Sequence, residues 1–156
     1  MLNAAPAFAL ERTECLGRCS AYRVTIDGDG RVEWDGRAHV AARGVRRSVI
    51  PRASVEALSA AAARARFAER DAQGRLPIAE PTIVRDGHTT TYAFRDEVIC
   101  ADTSRAIVSV VQAGVAHTVE DDGCTALDPE RAGLRELARA IDDVAGTAAW
   151  IGAPGR

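Results

Sequence analysis

The sequence predicts an α+β fold: a mainly antiparallel sheet made of hairpins, with two helices packed on one of its faces. Short segments alternate apolar and polar residues, glycine-containing turns separate them at hairpin distance, and two longer segments place apolar residues at steps of three and four. A chain of 156 residues has the usual size of one domain. We therefore expect a single domain over 1–156, with strands in 7–50, a helix over 54–66, hairpins in 82–120 and a helix over 128–146.

The clearest hairpin lies between residues 22 and 34. On both arms apolar side chains alternate with polar ones, which is the pattern of a half-buried strand. Residues 27–30 read Asp-Gly-Asp-Gly, and their glycines supply the positive φ angles that tight hairpin turns need. A third strand is predicted over 45–50, because Pro51 cannot continue the hydrogen-bond ladder.

The first helix is predicted over 54–66, with the side chain of Ser54 as its N-cap. Apolar residues recur at steps of three and four and form one stripe, namely Val55, Leu58, Ala62 and Ala65. A helix with a single apolar stripe buries that face and leaves the other in solvent, and Phe67 is expected to close its end.

The second helix is predicted to have Asp128 as its cap and Pro129 at its first position, where a missing amide hydrogen costs nothing. Its apolar stripe consists of Leu134, Leu137, Ile141 and Val144. Gly146 is the expected stop. After it, Trp150 and Ile151 are predicted to fold back against the core.

Two further hairpins are predicted between the helices. One spans 82–94 around the turn Asp86-Gly87, and the other spans 107–119 around Ala113-Gly114. Short links of this kind join neighbouring strands in antiparallel fashion, and each helix has one apolar face. Both helices are therefore expected on the same face of the sheet.

Charge and hydropathy exclude several classes of protein. The 20 basic and 22 acidic residues give a net charge of -2, and all the basic residues are arginines. The short basic cluster Arg43, Arg46 and Arg47 is predicted to lie on a solvated strand face. Aromatic residues make up 4% of the chain, too few for a stacking surface, so we expect no nucleic-acid partner. No apolar stretch reaches the roughly 18 residues that a membrane-spanning helix requires.

No residue pattern in the sequence indicates catalysis. His39, His88 and His117 are isolated from one another and from the cysteines, and no serine has the glycine-flanked setting of a nucleophile. Asp121 and Asp122 are predicted to lie in a solvated turn. Asp142 and Asp143 lie on a helix and point in different directions, so they form no acid/base dyad. We therefore expect no catalytic residue, no cofactor-binding residue and no metal ligand.

Both ends of the chain carry a resemblance. Residues 10–22, Leu-Glu-Arg-Thr-Glu-Cys-Leu-Gly-Arg-Cys-Ser-Ala-Tyr, and residues 141–151 with Ile-Asp, Ala-Gly-Thr and Trp-Ile resemble a bacterial family of domains of unknown function. The hallmark of that family is an Arg-Thr-x-Cys-x-Gly-x-Cys-Pro-x-Tyr segment followed by a hairpin. Ser20 stands where the family has proline, and the 82–94 hairpin looks like an insertion. The resemblance implies an extracytoplasmic location (periplasmic, lipoprotein or secreted) and supplies no reaction.

The first ten residues have only one feature of a leader. They contain a small-x-small step at Ala7-Phe8-Ala9 but lack the basic and long apolar regions of a signal peptide. We expect no complete signal peptide in this sequence, and either a removed leader or synthesis without one fits the residues.

Four cysteines, an even number, fit two disulfides in an oxidising compartment. The resemblance implies paired cysteines, and the chain order favours Cys15 with Cys19, around Gly17, and Cys100 with Cys124, across the last hairpin. Two other uses remain open for Cys15 and Cys19, namely thiol exchange and binding of a soft metal.

The preferred function is therefore a non-catalytic, extracytoplasmic binding or envelope-associated module, and an enzyme is not expected. The alternative is a thiol-redox or soft-metal-binding protein that uses Cys15 and Cys19. A weaker alternative is a small hydrolase built from a histidine and an aspartate that folding brings together. A sheet covered on one face leaves the other open to a protein partner or to a second copy of the chain.

Overall fold

The computed structural model describes residues 6–77, 83–92, 100, 102–124 and 129–153. The strands in this part of the chain are β1 Pro6–Arg12, β2 Ala21–Asp27, β3 Arg31–Ala38, β4 Gly44–Val49, β5 Ile83–Asp86, β6 Thr89–Tyr92, β7 Ala106–Gln112 and β8 Val115–Asp121. The helices are α1 Arg52–Arg64, α2 Ala132–Ala145 and the single turn α3 Ala148–Ile151. Two 3₁₀ turns, Phe67–Glu69 and Pro129–Arg131, follow α1 and precede α2.

Six strands form one open antiparallel sheet in the order β4-β3-β2-β1-β7-β8, and β5 and β6 form a separate hairpin. The helices α1 and α2 share one hydrophobic core with the inner face of the large sheet. The predicted α+β fold is confirmed. None of the helices in the described residues is long and apolar enough to cross a membrane.

Strand β1 occupies the centre of the sheet, between β2 and β7. The sequence places strands in 7–50 but does not single out this one. The reason is that Phe8, Ala9 and Leu10 are all buried. Phe8 and Leu10 face the helices, whereas Ala9 lies between Thr25 and Ser109 on the opposite face. A strand buried on both faces reads as a continuous apolar run, which hides the period of two.

The predicted hairpins are confirmed where the structure describes them. In the 27–30 turn, Asp27 Oδ1 accepts hydrogen bonds from the amides of Asp29 and Arg31, both at 2.9 Å. Ala113 and Gly114 adopt φ angles of 49° and 77°, as a two-residue hairpin turn of the primed type requires. Strands β5 and β6 meet at Gly87, while residues 82, 93 and 94 lie outside the described residues.

The predicted N-cap of the first helix is wrong. α1 begins at Arg52, directly after Pro51, and Ser54 lies inside the first turn with its amide donating to the Pro51 carbonyl at 2.9 Å. Proline fixes its own φ near the helical value and needs no amide partner, so the helix starts earlier than a side-chain cap would place it. α1 ends at Arg64, because Arg66 takes a left-handed φ of 50°. Phe67 is buried beyond that bend, as predicted.

The second helix starts later than predicted. Pro129 begins a 3₁₀ turn and the α-helix proper starts at Ala132, while Asp128 lies outside the described residues. Gly146 ends α2 with a φ of 70°, which confirms the predicted stop.

Trp34 anchors the core at the β3 side. Its ring stacks on Tyr22 with centroids 4.4 Å apart and meets Trp150 at 5.5 Å. Trp34 Nε1 donates to the Ala42 carbonyl at 2.9 Å. The amide of Ala42 in turn donates to the Trp150 carbonyl at 2.9 Å. The chain after α2 therefore folds back on the core, as predicted.

Arg70 joins the end of α1 to the start of α2. It is 4% exposed, and its guanidinium donates to the carbonyls of Ala65 at 2.9 Å, Gly74 at 2.7 Å and Glu130 at 2.9 Å. Burial lowers the pKa of Arg70. Three carbonyl groups thus take the place of water around a buried cation, which makes this arginine a structural residue.

Candidate functional site

A cavity of about 300 Å³, which we call the α2 cavity, lies between α2 and one end of the sheet. Its sheet side is a single row across three strands, because Arg12 of β1 pairs with Ala106 of β7, which pairs with Asp121 of β8. The complete lining is Arg12, Ser104, Ala106, Asp121, Gly123, Leu134, Arg135, Ala138 and Arg139. The cavity therefore combines an apolar floor with charged groups at its sides.

The helix side of the cavity follows from the spacing along α2. Leu134 and Ala138 are four residues apart and buried, and Arg135 and Arg139 repeat the same step one position further along. The first pair belongs to the apolar stripe of the helix, so the arginines fall at the border of that stripe. Arg139 is exposed and has neither a hydrogen bond nor an ion pair with any described residue.

Arg12 is held by a hydrogen-bonded group that we call the Asp142 cluster: Arg12, Tyr22, Asp142 and Thr147. Asp142 Oδ2 accepts hydrogen bonds from Arg12 Nε at 3.0 Å and Nη2 at 2.8 Å. Its Oδ1 accepts from Tyr22 Oη at 2.6 Å and from Thr147 Oγ1 at 2.8 Å. One carboxylate thus receives four hydrogen bonds, two of them from the planar fork of one guanidinium.

The electrostatics of the cluster keep Arg12 charged and Tyr22 neutral. Burial opposes the charge of Arg12, but the nearby Asp142 carboxylate and Tyr22 oxygen outweigh it and raise the pKa of the guanidinium. Burial, together with the negative charge and the hydrogen bond of Asp142, raises the pKa of Tyr22 well above its ordinary value. The cluster therefore fixes the direction of a permanent positive charge at the cavity wall.

The prediction of a solvated turn is wrong for Asp121, which is buried in β8, whereas Asp122 lies just after the strand and is half-buried. Asp121 is 5% exposed and its Oδ2 accepts from Arg135 Nε at 3.1 Å, while Asp122 Oδ1 accepts from Arg131 Nη1 at 3.1 Å. The reason is that β8 continues to Asp121, so its side chain meets Arg135 of α2 rather than solvent.

Asp142 and Asp143 point in different directions, as predicted. Asp143 is exposed, whereas Asp142 is the centre of its cluster. That central role does not follow from the sequence, because the partners Arg12 and Tyr22 lie 130 and 120 positions earlier in the chain. Across the cavity and this cluster, the three guanidinium groups of Arg12, Arg135 and Arg139 face two carboxylates, Asp121 and Asp142. Counted over the described residues, the site has an excess of positive charge.

The four cysteines form two bridges beside the cavity. Cys15 is bonded to Cys19 with Cα atoms 5.6 Å apart, and Cys100 is bonded to Cys124 with Cα atoms 5.4 Å apart. Cys124 directly follows Gly123, which lines the cavity.

The first bridge is linked to the cavity wall through Thr13. Ser104 Oγ donates to the Thr13 carbonyl at 2.9 Å, and the amide of Arg105 donates to Thr13 Oγ1 at 2.9 Å. Both bridges therefore border segments that shape the cavity.

The histidines lie apart from this site. His117 Nε2 is 2.8 Å from the Arg70 carbonyl oxygen and its ring meets Phe67 edge-on, while His39 and His88 are exposed. Within the described residues no histidine shares a hydrogen bond with a carboxylate or a hydroxyl, and no group of three or more His, Cys, Asp or Glu side chains is placed to hold a metal ion. The hydrolase alternative gains no support from this geometry.

Comparison with known proteins assigns the family. No match was found among curated proteins. A family model described as a domain of unknown function matches residues 6–145, which include every strand of the large sheet, both long helices and the four cysteines. With most of its length covered by that model, the chain belongs to the family of the domain of unknown function DUF6438.

Proposed function

We propose that this protein is a non-catalytic, extracytoplasmic binding module and that the α2 cavity holds its ligand. The observation that supports this proposal is the lining of the cavity: an apolar floor of Ala106, Leu134 and Ala138 beside the guanidinium groups of Arg12 and Arg139. Such a combination of apolar surface with a few placed polar groups is typical of small-molecule sites.

The charge and size of the cavity favour a small organic monoanion, a carboxylate with a short apolar tail. A guanidinium fork matches a carboxylate with two parallel hydrogen bonds. Arg139 is exposed and has no partner among the described residues, so a ligand can engage it without breaking an ion pair. A volume of about 300 Å³ lies at the lower end of the range for ligand sites.

A binding role rather than a chemical one is supported by how the polar groups of the cavity are used. Ser104 donates its hydroxyl hydrogen to the Thr13 carbonyl, and no histidine is among the described residues that line the cavity. Nucleophilic catalysis needs a hydroxyl or thiol activated by a neighbouring base. The groups in the cavity are arranged to hold an anion.

The test is a titration followed by two-dimensional NMR of the oxidised protein, with a series of aliphatic monocarboxylates and the neutral amides of the same chain lengths. Carboxylates are expected to shift the amide signals of Ala106 and Ala138, and the amides are not. Arg139→Ala is expected to weaken binding by about fivefold, the loss of about 1 kcal/mol for one charged hydrogen-bond donor. Arg64→Ala, at an exposed arginine of α1, serves as the control.

Two outcomes contradict the proposed ligand class. One is equal affinity for the carboxylates and their amides, which would show that the charge of the ligand does not contribute to binding. The other is an equal affinity in Arg139→Ala and Arg64→Ala, which removes the role of this cavity.

The extracytoplasmic location is supported by the two disulfide bridges, since such bridges persist in oxidising compartments. Intact mass after alkylation, without prior reduction, of protein taken from its own host tests this point. No alkylated cysteine is expected. Four alkylated cysteines would contradict both the location and the pairing.

The open face of the sheet is the proposed contact for a protein partner or a second copy. Its side chains form ion pairs with one another, Arg37 with Glu11 at 2.6 Å and Arg47 with Glu33 at 3.2 Å. The charged groups of such a face are already paired with one another and hydrated, so any association through it is expected to be weak. Sedimentation velocity over a range of concentrations and salt measures it.

One observation favours the alternative of thiol chemistry. Cys15 and Cys19 are half-buried, and the residues between them are exposed, with Leu16 at 84%. A reductant can therefore reach this bridge. If the protein is a thiol oxidoreductase, it will reduce insulin disulfides in the presence of dithiothreitol, and Cys15→Ser/Cys19→Ser will abolish that turnover.

The soft-metal version of this alternative needs the reduced thiolates as ligands. Titration of reduced protein with Cu(I) or Zn²⁺, read by native mass spectrometry, decides it. A non-catalytic binding module gives no turnover in the first assay and no metal adduct dependent on Cys15 in the second.

A further inference from the structure

In the part of the chain that the structure describes, strand β4 has an unpaired outer edge. It ends the large sheet there and is bonded to β3 alone. The amide of Ile50 donates to the Gly30 carbonyl at 2.8 Å just beyond this ladder, so these two residues occupy a hydrogen-bonded position. Along two antiparallel strands, hydrogen-bonded and non-hydrogen-bonded positions alternate. It follows that the backbone groups of Val45, Arg47 and Val49 point away from β3. None of these three amides has a hydrogen-bond partner in the described chain.

The opposite edge of the sheet is treated differently. There the amide of Glu120 in β8 donates to the carbonyl of Ala72 at 2.8 Å, and His117 contacts the Arg70 carbonyl. The segment after α1 thus covers part of β8. The outward amides of Ala116 and Thr118 in β8 are not covered in this way. Of the two edges of the described sheet, β4 is the one at which no outward amide is bonded to another described segment.

The side chains of β4 define what would fit beside it. Val45, Arg47 and Val49 share the open face of the sheet, because they lie opposite Asp35, Glu33 and Arg31. The two valines are 46% and 75% exposed. Arg46 lies on the other face, opposite Trp34. The edge therefore presents an apolar, basic, apolar sequence on one face and a basic residue on the other.

Positive charge dominates this edge. The guanidinium groups of Arg43 and Arg46 donate to backbone carbonyls, Arg43 to Arg37 at 2.7 Å and Arg46 to Val45 at 2.9 Å. Neither of them forms an ion pair with a carboxylate among the described residues. Arg47 contacts Glu33 at 3.2 Å, but both side chains are more than half exposed, so this pair contributes little.

We propose that the β4 edge binds an extended, acidic segment of a partner protein as an added strand of the sheet. Apolar residues of that segment lie opposite Val45 and Val49, and its acidic residues lie beside Arg46 and Arg47. The backbone bonds supply affinity and the alternating side chains supply selectivity. This interaction is independent of the α2 cavity.

Arg46 has two roles in this arrangement. In the free protein its guanidinium covers the Val45 carbonyl, which points outward from the edge. Charged side chains of this kind protect sheet edges from pairing with other chains, and two β4 edges together would bring their arginines into repulsion. An incoming carboxylate competes for the guanidinium and releases the carbonyl. The edge is thus closed to a second copy and open to an acidic strand.

The probe is a short, fluorescently labelled peptide with blocked termini and the central sequence Val-Thr-Glu-Glu-Val, which places its apolar and acidic residues as the edge requires in the antiparallel direction. Two comparison peptides carry lysine in place of glutamate, or the same composition in scrambled order. Fluorescence anisotropy with the whole, oxidised protein is expected to give binding to the first peptide that is about tenfold tighter than to either comparison.

Hydrogen exchange identifies the strand. Bound peptide is expected to slow exchange at the amides of Val45, Arg47 and Val49, and to leave those of Arg46 and Ser48, which already bond to β3, unchanged. Arg46→Glu is expected to weaken binding by about tenfold or more. Arg23→Glu, at an exposed arginine of the open face on β2, is the matched control and keeps the affinity.

Four results would overturn the proposal: no binding of the acidic peptide, equal binding of the scrambled peptide, binding without the alternating pattern of amide protection, or a dimer whose formation protects the same three amides. Failure of carboxylate binding in the α2 cavity has no bearing on any of these readouts, so the two proposals stand or fall separately.

Discussion

Replacing Asp142 by alanine tests the energetic role of the Asp142 cluster directly. The substitution removes the acceptor of four hydrogen bonds. The donors that lose this acceptor are the Arg12 guanidinium, the Tyr22 hydroxyl and the Thr147 hydroxyl. We expect a large loss in the free energy of unfolding, because these donors are partly or fully buried and cannot all regain water.

The magnitude follows from the exposure of the partners. Breaking a fully buried ion pair by removing one member costs about 3–5 kcal/mol. The side chains of Arg12 and Asp142 are 28% and 16% exposed, so solvent screens part of this interaction. We therefore expect Asp142→Ala to lower the free energy of unfolding by about 2–4 kcal/mol. For a domain of this size that corresponds to a decrease in Tm of about 5–15 °C.

The measurement is urea-induced unfolding followed by circular dichroism, with Asp143→Ala as the matched control. Asp143 is the next residue of the same helix and is exposed, so its replacement is expected to change stability by no more than about 0.5 kcal/mol. Removing a negative charge near the C-terminal end of a helix can even stabilise it slightly. If Asp142→Ala and Asp143→Ala have the same effect, the cluster does not contribute as its geometry implies.

Three further predictions concern pH, the disulfides and the buried arginine. Burial and Asp142 raise the pKa of Tyr22 in the folded state, so its contribution to stability is complete below the unfolded value of about 10 and is lost as the pH rises above it. Tyr22→Phe lacks the hydrogen bond to Asp142 and should be less stable than wild type at neutral pH, and urea unfolding at a series of pH values should show this difference shrinking above pH ~10. By chain entropy, removing the Cys100–Cys124 bridge should lower the free energy of unfolding by about 3.5 kcal/mol, and removing the Cys15–Cys19 bridge should lower it by about 2 kcal/mol. Urea unfolding of Cys100→Ser/Cys124→Ser and of Cys15→Ser/Cys19→Ser tests whether the first loss is the larger one. Arg70→Met should cost about 2–4 kcal/mol, because three carbonyls lose their donor; an unchanged urea midpoint would contradict the structural role of Arg70.

The parts of the fold that the sequence predicts are those encoded by local patterns. The hairpin turns at 27–30 and Ala113-Gly114, the apolar stripe of α2 and the stop at Gly146 all depend on residues within a few positions of one another. Local sterics and periodicity decide these features, so they can be read without knowledge of the tertiary structure.

The parts that could not be predicted depend on distant residues. β1 loses its alternating pattern because strands on both sides bury it, and the N-cap at Ser54 fails because Pro51 fixes the chain first. The local sequence around Asp121 is typical of a turn, and its burial depends on Arg135 of α2, which lies 14 residues later. The candidate site is made of such long-range pairs, and no local motif marks them.

The position of β1 in the sheet has a consequence for the order of folding. β1, β2, β3 and β4 can pair as a meander as soon as they are available, but the other side of β1 pairs with β7, where Arg12 meets Ala106. β1 and β7 can pair only after the whole intervening chain is available. Closing this long loop lowers the entropy of the chain before the new contacts stabilise it. A nascent chain therefore exposes the apolar edge of its central strand until β7 is available. We expect this pairing to limit the rate of folding, and the unpaired β1 to be the segment that a chaperone must shield in the meantime.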